Sequence, residues 1–577
     1  MKKLLFYLKG YKKESILAPL FKCLEALFEL FVPLAVAQII DVGMSENGGD
    51  KKTVFLMCGV LIALGVIGLV CAICAQFFAA RAAVGVSEKL RSSLFSHIQR
   101  FSYSMTDKIG TSTLITRMTS DVNSVQTGIN MFLRLFMRSP FIVFGAMIMA
   151  FTIDVKLALI FAVTIPALAI VVFAIMLVSI PILKRSQSRL DGVVGKVRGN
   201  YSGTRVVRAF NKEQDEIAEF DEKHDSLTKI QIFAGRISAL MNPLTYVIIN
   251  FAVILLIRFG AIRVYKGIIS QGELVALYNY MSQILVELIK LASLIITLTK
   301  AMASARRISD VFDTPSDTTR ISEKDESCDN SAVCFENVSF KYSETGDAAI
   351  ADISFSVKKG QTVGIIGGTG SGKSTLINLI PAFYAPTSGS VFINGKNTAL
   401  YDKNELTDIV GIVPQKALLF KGTIRSNLLW GNENATEDEL WEALSLAQAD
   451  GFVKEKNGQL DEPVAQSGRN FSGGQRQRLT IARALVKKPQ ILILDDSASA
   501  LDYATEASLR KALRSLDYTP TTFIVSQRTS SVLHADTIIV LDDGEVEGIG
   551  THEELLENCE TYREIYRSQF PEEVANR

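Results

Sequence analysis

Histidine is scarce in this chain, and its cysteines form no metal-binding group. The 577 residues include four histidines and seven cysteines. None of the cysteines has the spacing of a metal-ligand set, which argues against a zinc or iron–sulfur site. Cys71 and Cys74 have the spacing of a redox pair, but they lie in an uninterrupted apolar run, so we expect packing thiols. The net charge of +1 averages two halves of different character, and we expect no nucleic-acid partner.

A signal peptide is also not expected. The first nine residues, MKKLLFYLK, are too short and too polar to span a membrane, and no small-residue cleavage site follows them. An amphipathic helix that lies on the inner membrane surface before the first span fits this segment better.

Long apolar runs are confined to about the first 300 residues. A bilayer-crossing helix needs about 20 mainly apolar residues. Six segments meet this requirement, at roughly 16–40, 53–80, 129–151, 155–183, 244–264 and 270–300. Lysine and arginine are concentrated in the long connections after the second and fourth spans, which predicts that these connections and both termini are cytoplasmic. We expect the spanning helices to continue into these connections.

Several ionisable side chains fall inside the predicted spans, where they are costly and usually face a protein interior or a water-filled cavity. Two interpretations stay open. The charges pair with one another and hold the bundle together, or they line a polar cavity for cargo. The candidate cavity residues are Glu25, Glu29, Arg134, Arg138, Arg258 and Glu287.

A glycine-rich loop in the second half of the chain has the form of a phosphate-binding loop. It reads Gly367-Gly368-Thr369-Gly370-Ser371-Gly372-Lys373-Ser374, between a predicted buried strand and a predicted helix. That context is what a phosphate-binding loop requires. Backbone N–H groups and the helix start would cradle phosphate oxygens. Lys373 would reach the β- and γ-phosphates and Ser374 would hold Mg²⁺, so we predict an ATP site that uses Mg²⁺.

A second motif, Asn470-Phe471-Ser472-Gly473-Gly474-Gln475, follows downstream. With it the chain resembles the ATP-binding cassette family, and the six-span arrangement resembles the exporter branch. The resemblance covers essentially the whole chain. It implies an α-helical six-span transmembrane domain fused to an α/β P-loop ATPase domain. We place the membrane domain at 1–308, a charged linker at 309–331 and the nucleotide-binding domain at 332–577.

The resemblance also implies roles for individual residues. Tyr342 would stack on adenine, and the phosphate-binding loop through Thr375 would hold the phosphates. Ser374, Gln415 and Asp495 would hold Mg²⁺. The signature, Ser472, Gly473, Gly474 and Gln475, would bind the γ-phosphate of nucleotide on the opposite domain, and Asp502 would lie in the loop that communicates across the dimer. The stretches 203–210 and 110–114 resemble the two connections that couple the membrane domain to the ATPase domains.

Two positions depart from the family pattern in the same site. Asp496 stands where the general base is usually glutamate, and its carboxylate is about 1.5 Å, one carbon–carbon bond, further back. A general base must come within hydrogen-bond reach of the attacking water. Gln527 replaces a histidine, and its amide can donate a hydrogen bond but never carries a positive charge. Gln466, before the signature, replaces a glutamate. Neutral drift in a homodimer that tolerates slow hydrolysis would explain these changes. However, the changes at Asp496 and Gln527 damage the same catalytic step while the ATP-binding residues persist, which favours a heterodimer.

The sequence therefore predicts one half of a heterodimeric exporter in the bacterial plasma membrane. Its cargo would be hydrophobic or amphipathic, and its signature would complete the competent site of a second half-transporter. Two alternatives stay open: a homodimeric exporter with two slow sites, and an ATP-gated channel or regulatory subunit. The six spans exclude a soluble ATPase, and the fused order of spans and cassette disfavours an importer.

Overall fold

The computed structural model describes residues 6–43, 50–315, 331–343 and 346–570. It contains two compact units: Met1–Gln99 with Gly110–Thr314, and Arg100–Ile109 with Pro315–Arg577. Most of the predicted linker 309–331 and the first part of the predicted amphipathic helix lie outside the described residues. The division into 1–308, 309–331 and 332–577 that was drawn from the sequence stays a prediction.

Helices build the first unit. In chain order they are α1 (Lys12–Gly43), α2 (Lys51–Ile98), α4 (Thr111–Thr116), α5 (Val122–Leu135), α6 (Arg138–Ile153), α7 (Val155–Ala209), α8 (Glu213–Ala239), α9 (Met241–Tyr265) and α10 (Gln271–Asp313). A π-helical turn, Arg117–Asp121, joins α4 to α5. The short helix α3 (Tyr103–Ile109) belongs to the second unit.

Six helical stretches of the described chain are long and apolar enough to cross a membrane. They are Phe6–Gly43, Lys51–Ile98, Thr111–Ile153, Val155–Ala209, Glu213–Tyr265 and Gln271–Asp313. Each contains one predicted segment, so the six-span prediction is confirmed. The longest has 55 residues, far more than the roughly 20 that a bilayer needs. The spanning helices therefore do continue into the connections, as expected.

Small residues let the helices of the first unit approach closely, as is usual between membrane helices. Ala18, Ala79 and Ala82 are fully buried together. At Gly272 a β-carbon would collide with the backbone of Ala37, so only glycine fits there. Cys71 is a buried free thiol, in keeping with a packing role.

The second unit contains two main β-sheets and the helices around them. Its strands are β1 (Ser331–Phe340), β2 (Ile350–Lys358), β3 (Thr362–Gly367), β4 (Ser388–Ile393), β5 (Lys396–Asn397), β6 (Val410–Val413), β7 (Gly422–Thr423), β8 (Pro463–Val464), β9 (Ile491–Asp495), β10 (Thr521–Val525), β11 (Thr537–Asp542) and β12 (Glu545–Gly550). Its later helices are α11 (Lys373–Leu379), α12 (Lys403–Ile409), α13 (Ile424–Leu428), α14 (Glu437–Leu446), α15 (Asp450–Lys454), α16 (Gly473–Val486), α17 (Tyr503–Arg514), α18 (Thr529–Val532), α19 (His552–Asn558) and α20 (Glu560–Gln569).

The larger sheet has six strands in the order β12-β11-β3-β10-β9-β6. All its neighbouring pairs are parallel except β11 with β12. Strand β9, Ile-Leu-Ile-Leu-Asp, is buried throughout, which is typical of a parallel strand covered on both faces. The smaller sheet, β2-β1-β4-β5, is antiparallel. Ligands of such parallel sheets bind at the carboxyl ends of the strands, and the phosphate-binding loop, Gln415, Asp496 and Gln527 follow those ends.

Candidate nucleotide-binding site

The carboxyl ends of β9 and β10 bring the two unusual positions side by side. In the parallel register Asp495 lies opposite Val525. The next residues, Asp496 and Ser526, therefore leave the sheet together, and the N–H of Asp496 donates to the carbonyl of Val525 at 3.0 Å. Gln527 lies two residues after Val525, so the register places it at the same edge of the sheet as Asp496.

A cavity of about 330 Å³ lies at this edge of the sheet. Residues from separate loops line it: Tyr342, Ala349, Thr369, Gly370, Gly372, Lys373, Ser374, Thr375, Gln415, Asp495, Asp496, Val525, Ser526 and Gln527. The structure thus brings together most of the predicted phosphate-binding positions with the predicted magnesium and catalytic positions, while Gly367, Gly368 and Ser371 do not line the cavity. The signature and Asp502 do not line this cavity.

The phosphate-binding loop takes a conformation that favours glycine. Gly370 and Gly372 have φ angles of +90° and +89°, where glycine has no steric penalty. The ammonium of Lys373 donates to the carbonyl of Gly367 at 2.9 Å and also to that of Gly368. Burial lowers the pKa of Lys373, although Asp496 and Asp495 partly oppose that shift. A buried ammonium held by carbonyl dipoles suits an anionic phosphate.

Ser374 and Asp495 provide oxygen ligands of the kind that Mg²⁺ prefers. The Ser374 hydroxyl donates to Asp495 Oδ1 at 3.2 Å. Burial raises the pKa of Asp495, and the nearby Asp496 adds to that shift. The described residues contain no group of three or more histidine, cysteine, aspartate or glutamate side chains that could hold a metal ion. The donor set therefore fits a Mg²⁺ ion that takes its remaining ligands from phosphates and water.

Asp496 lies in a backbone conformation that few residues adopt. Its φ is +44°, in the left-handed region where aspartate is among the better tolerated residues. Its Oδ2 accepts a long hydrogen bond of 3.4 Å from the amide of Gln415. The carbonyl of Gln527 accepts from the Gln569 amide at 2.8 Å. Asp496 and Gln527, the two departures from the family pattern, both line the cavity that Lys373 also lines.

Tyr342 stands beside the phosphate-binding loop with part of its ring uncovered. Its hydroxyl is 3.0 Å from the hydroxyl of Thr375, and its ring meets Phe340 edge to face at 4.9 Å. The side chain is 54% exposed, which leaves ring surface for a stacking partner. Adenine stacking stays a prediction.

The signature residues begin α16 and are stabilised by a capping box. The Ser472 hydroxyl accepts from the N–H of Gln475 at 3.2 Å, and the Gln475 side chain accepts from the N–H of Ser472 at 3.0 Å. This reciprocal pair satisfies two N–H groups at the helix start. Phe471, which comes just before the signature, is buried. Ser472 and Gly473 are exposed, so the start of α16 is open to a ligand.

Asp502 has a local structural role. It caps α17 by accepting from the N–H of Thr505 at 2.8 Å, and this backbone hydrogen bond lowers the pKa of Asp502. Its predicted part in communication across a dimer stays a prediction. Gln466 is exposed, next to Ser467 in the left-handed region.

The sequence reasoning missed the contacts of α3. The ring of Tyr103 stacks on Phe383 with centroids 4.4 Å apart. The Tyr384 hydroxyl donates to Asp107 Oδ2 at 2.7 Å. Burial raises the pKa of Tyr384, and the hydrogen bond with Asp107 raises it further. The sequence resemblance pointed to 110–114, just after this helix. A usable signal was the pair Tyr103 and Asp107, which lie one turn apart on a short polar helix.

The membrane charges fall into two groups. Arg138 forms ion pairs with Glu287, with Glu29 at 2.7 Å and with Glu25 at 3.9 Å. Arg258 is exposed and Arg134 is half-buried, and neither forms an ion pair with any residue that the structure describes. Four of the six candidate cavity residues therefore form one cluster. This pairing supports the structural interpretation, and the cargo interpretation stays a prediction.

The fold and the site define a membrane-spanning P-loop ATPase. A family model described as the ABC transporter transmembrane region matches residues 15–288, and one described as ABC transporter matches residues 350–499. An uncharacterized ABC transporter ATP-binding protein of Mycobacterium tuberculosis is 36% identical over 98% of this chain and 97% of its own length. A Bacillus subtilis protein named "Probable multidrug resistance ABC transporter ATP-binding/permease protein YheI" is 32% identical over 99% and 97%.

A solved structure gives the same fold. A bacterial Atm1-family ABC exporter with ATP bound aligns with a TM-score of 0.80 over 97% of this chain and 98% of that chain, at 23% identity. The chain belongs to the ABC transporter family: its membrane domain and ATPase domain are fused, and it is an ATP-binding protein whose ATPase is coupled to transport.

Proposed function

We propose that this chain is one half of a heterodimeric exporter, that it moves a hydrophobic or amphipathic cargo out of the cytoplasm, and that its own ATP site hydrolyses slowly. The observation that carries the proposal is the shared cavity. Asp496 and Gln527 border the same space as Lys373, Ser374 and Asp495. Two changes that weaken hydrolysis therefore coincide in one site, while the groups suited to hold ATP and Mg²⁺ remain.

The roles of the site residues follow from their chemistry. Lys373 and the loop N–H groups hold the phosphates. Ser374, Gln415 and Asp495 hold Mg²⁺, which neutralises phosphate charge when bound. Asp496 is a general base with a shortened reach, and its carboxylate hydrogen-bonds the Gln415 amide at 3.4 Å.

The signature serves a second half-transporter. Ser472 and Gly473 are exposed and lie outside this chain's own cavity. A helix start with free N–H groups attracts an anion, so α16 would bind the γ-phosphate of nucleotide held by the second chain. This chain would then keep one ATP as a clamp and complete the site that turns over.

The names of two Bacillus subtilis relatives support a multidrug cargo class. One is described as a multidrug export ATP-binding/permease protein and is 32% identical over 99% of this chain. The other carries multidrug resistance in its name. The plasma membrane of a bacterium is the location that we propose, with both termini cytoplasmic.

Purification of this chain alone tests the heterodimer. We expect little ATP hydrolysis and no stable dimer in lipid nanodiscs, as measured by turnover and by mass in solution. The Lys373→Ala variant sets the background rate. A stable dimer of this one chain with ordinary turnover would refute the heterodimer and favour a homodimeric exporter.

Transport assays separate an exporter from an ATP-gated channel or regulatory subunit. Inside-out vesicles that contain the complete transporter should accumulate a fluorescent hydrophobic cation against its gradient when ATP is added. Vesicles with the Lys373→Ala variant supply the control. Passive flux without accumulation, across a panel of hydrophobic and amphipathic probes, would favour the channel.

A further inference from the structure

An apolar cavity in the first unit stands apart from the ATP site. Its volume is about 610 Å³, within the range of roughly 300–1,000 Å³ typical of small-molecule sites. Its lining comes from the segment before α1 and from α1, α2, α5 and α10. Leu90, Val125 and Leu133 are buried and form part of the cavity wall. Phe132 and Met302 also line the cavity and are 41% and 42% exposed.

Two lysines give this apolar cavity a charged edge. Lys9 and Lys12 line it, both are exposed, and neither is paired with a carboxylate among the residues that the structure describes. They come just before the first predicted span, at roughly 16–40, which predicts that they lie near the membrane surface. Basic residues at that level attract anionic lipid headgroups.

A third polar group points to a ligand. Ser15 also lines the cavity, and its hydroxyl oxygen is buried with no hydrogen-bond partner. A buried hydroxyl without a partner loses free energy relative to one that is hydrogen-bonded. A ligand with a polar group next to an apolar chain would satisfy it.

We propose that this cavity binds an anionic lipid of the surrounding membrane, with one acyl chain among the apolar residues and the phosphate near Lys9 and Lys12. The volume suits one chain, and the unpaired lysines select a negative headgroup over a zwitterionic one. The Ser15 hydroxyl would hydrogen-bond the glycerol or ester region. Such a lipid would hold the N-terminal segment against α2, α5 and α10.

Photo-crosslinking in nanodiscs tests the proposal on the full chain in its assembled form. The probes are phosphatidylglycerol and phosphatidylcholine that carry the same diazirine-tagged acyl chain, and mass spectrometry maps the adducts. We expect adducts within 125–133 and 298–305. Because each basic residue near a membrane surface is worth about fivefold in anionic-lipid affinity, phosphatidylglycerol should label these segments at least about fivefold more than phosphatidylcholine.

Lys12 and Lys13 provide a matched pair of variants, since only Lys12 lines the cavity. Lys12→Gln should lower the preference for phosphatidylglycerol about fivefold, and Lys13→Gln should leave it unchanged. Ser15→Leu fills the cavity from its wall and should reduce labelling by both lipids. Thermal unfolding of each variant identifies any that fail to fold. If Ser15→Leu fails to fold, the comparison of Lys12→Gln with Lys13→Gln still tests whether the lysines select the lipid headgroup.

Other outcomes would overturn the proposal. Equal labelling by the two lipids, or equal effects of Lys12→Gln and Lys13→Gln, would show that the lysines do not select the headgroup. Absence of lipid adducts, together with cross-linking from Met302→Cys to the second half-transporter, would show that protein covers the cavity instead.

Discussion

The ion-pair cluster around Arg138 provides a sharp test of what the membrane charges do. The Arg138 and Glu287 side chains are only 8% and 3% exposed. Ser139 and Lys290 also donate to Glu287, each at 2.8 Å. Replacing Arg138 therefore leaves Glu287 buried with an incomplete set of partners. Arg138→Met removes the one cation, among the residues that the structure describes, that pairs with Glu287, Glu29 and Glu25.

The size of the effect follows from burial. Removing one partner of a buried ion pair costs about 3–5 kcal/mol. For a domain of this size, each kcal/mol of lost stability lowers the melting temperature by about 2 °C or more. The melting temperature of Arg138→Met should therefore fall by roughly 6 °C or more. The double variant Arg138→Met/Glu287→Leu removes both charges, so it should be less destabilised than the sum of the single variants by about 1–3 kcal/mol.

Arg134→Met is the matched control, because Arg134 lies one turn away and forms no ion pair with any residue in the described part of the chain. We expect it to change stability by no more than about 0.5 kcal/mol. The assay is thermal unfolding in nanodiscs of fixed lipid composition, together with the KM for cargo. If Arg138→Met melts like Arg134→Met but raises the KM for cargo, the cluster binds cargo and the structural interpretation is wrong.

Two further predictions concern the second unit. Lys373→Ala should weaken ATP binding about 10-fold to 150-fold, because it removes charge-assisted hydrogen bonds to phosphate; isothermal titration measures this, and unchanged affinity would contradict the assignment. Tyr384→Phe removes the hydrogen bond to Asp107 and should cost about 1 kcal/mol in the docking of α3, with ATP affinity unchanged but transport per ATP reduced. Phe383→Leu, which loses the stacking on Tyr103, should also reduce transport per ATP. Unchanged transport per ATP in both variants would contradict a role for α3 in coupling hydrolysis to transport.

The ATP site was largely predictable from sequence because its residues follow buried strands. The loop that ends in Lys373 follows β3, Asp495 ends β9, and Gln527 follows β10. Parallel strands present their carboxyl ends at one edge of a sheet, so recognising the strands was enough to bring these side chains together. The exposed position of Ser472 agrees with a motif that acts on another domain's nucleotide.

Long-range pairing could not be read from the sequence. Arg138 and Glu287 are 149 positions apart, and hydropathy gives no indication of which charges in different spans meet. The contact of Tyr384 with Asp107 joins positions 277 apart. Such partners depend on how helices pack, which local patterns do not determine. The residues at which the extended helices end could not be located for a related reason: hydropathy detects only the apolar part of α7, while the helix runs on to Ala209.

We propose that Asp496 and Gln527 make this chain's own ATP site slow. Turnover by the assembled transporter, compared between the native chain and the Asp496→Glu/Gln527→His variant, tests it most directly. A well-placed general base contributes about 10²–10⁴-fold, so we expect turnover at this site to rise at least about tenfold, and Lys373→Ala in the same background to abolish the gain. Unchanged turnover in a folded, ATP-binding variant would show that Asp496 and Gln527 do not limit hydrolysis at this site.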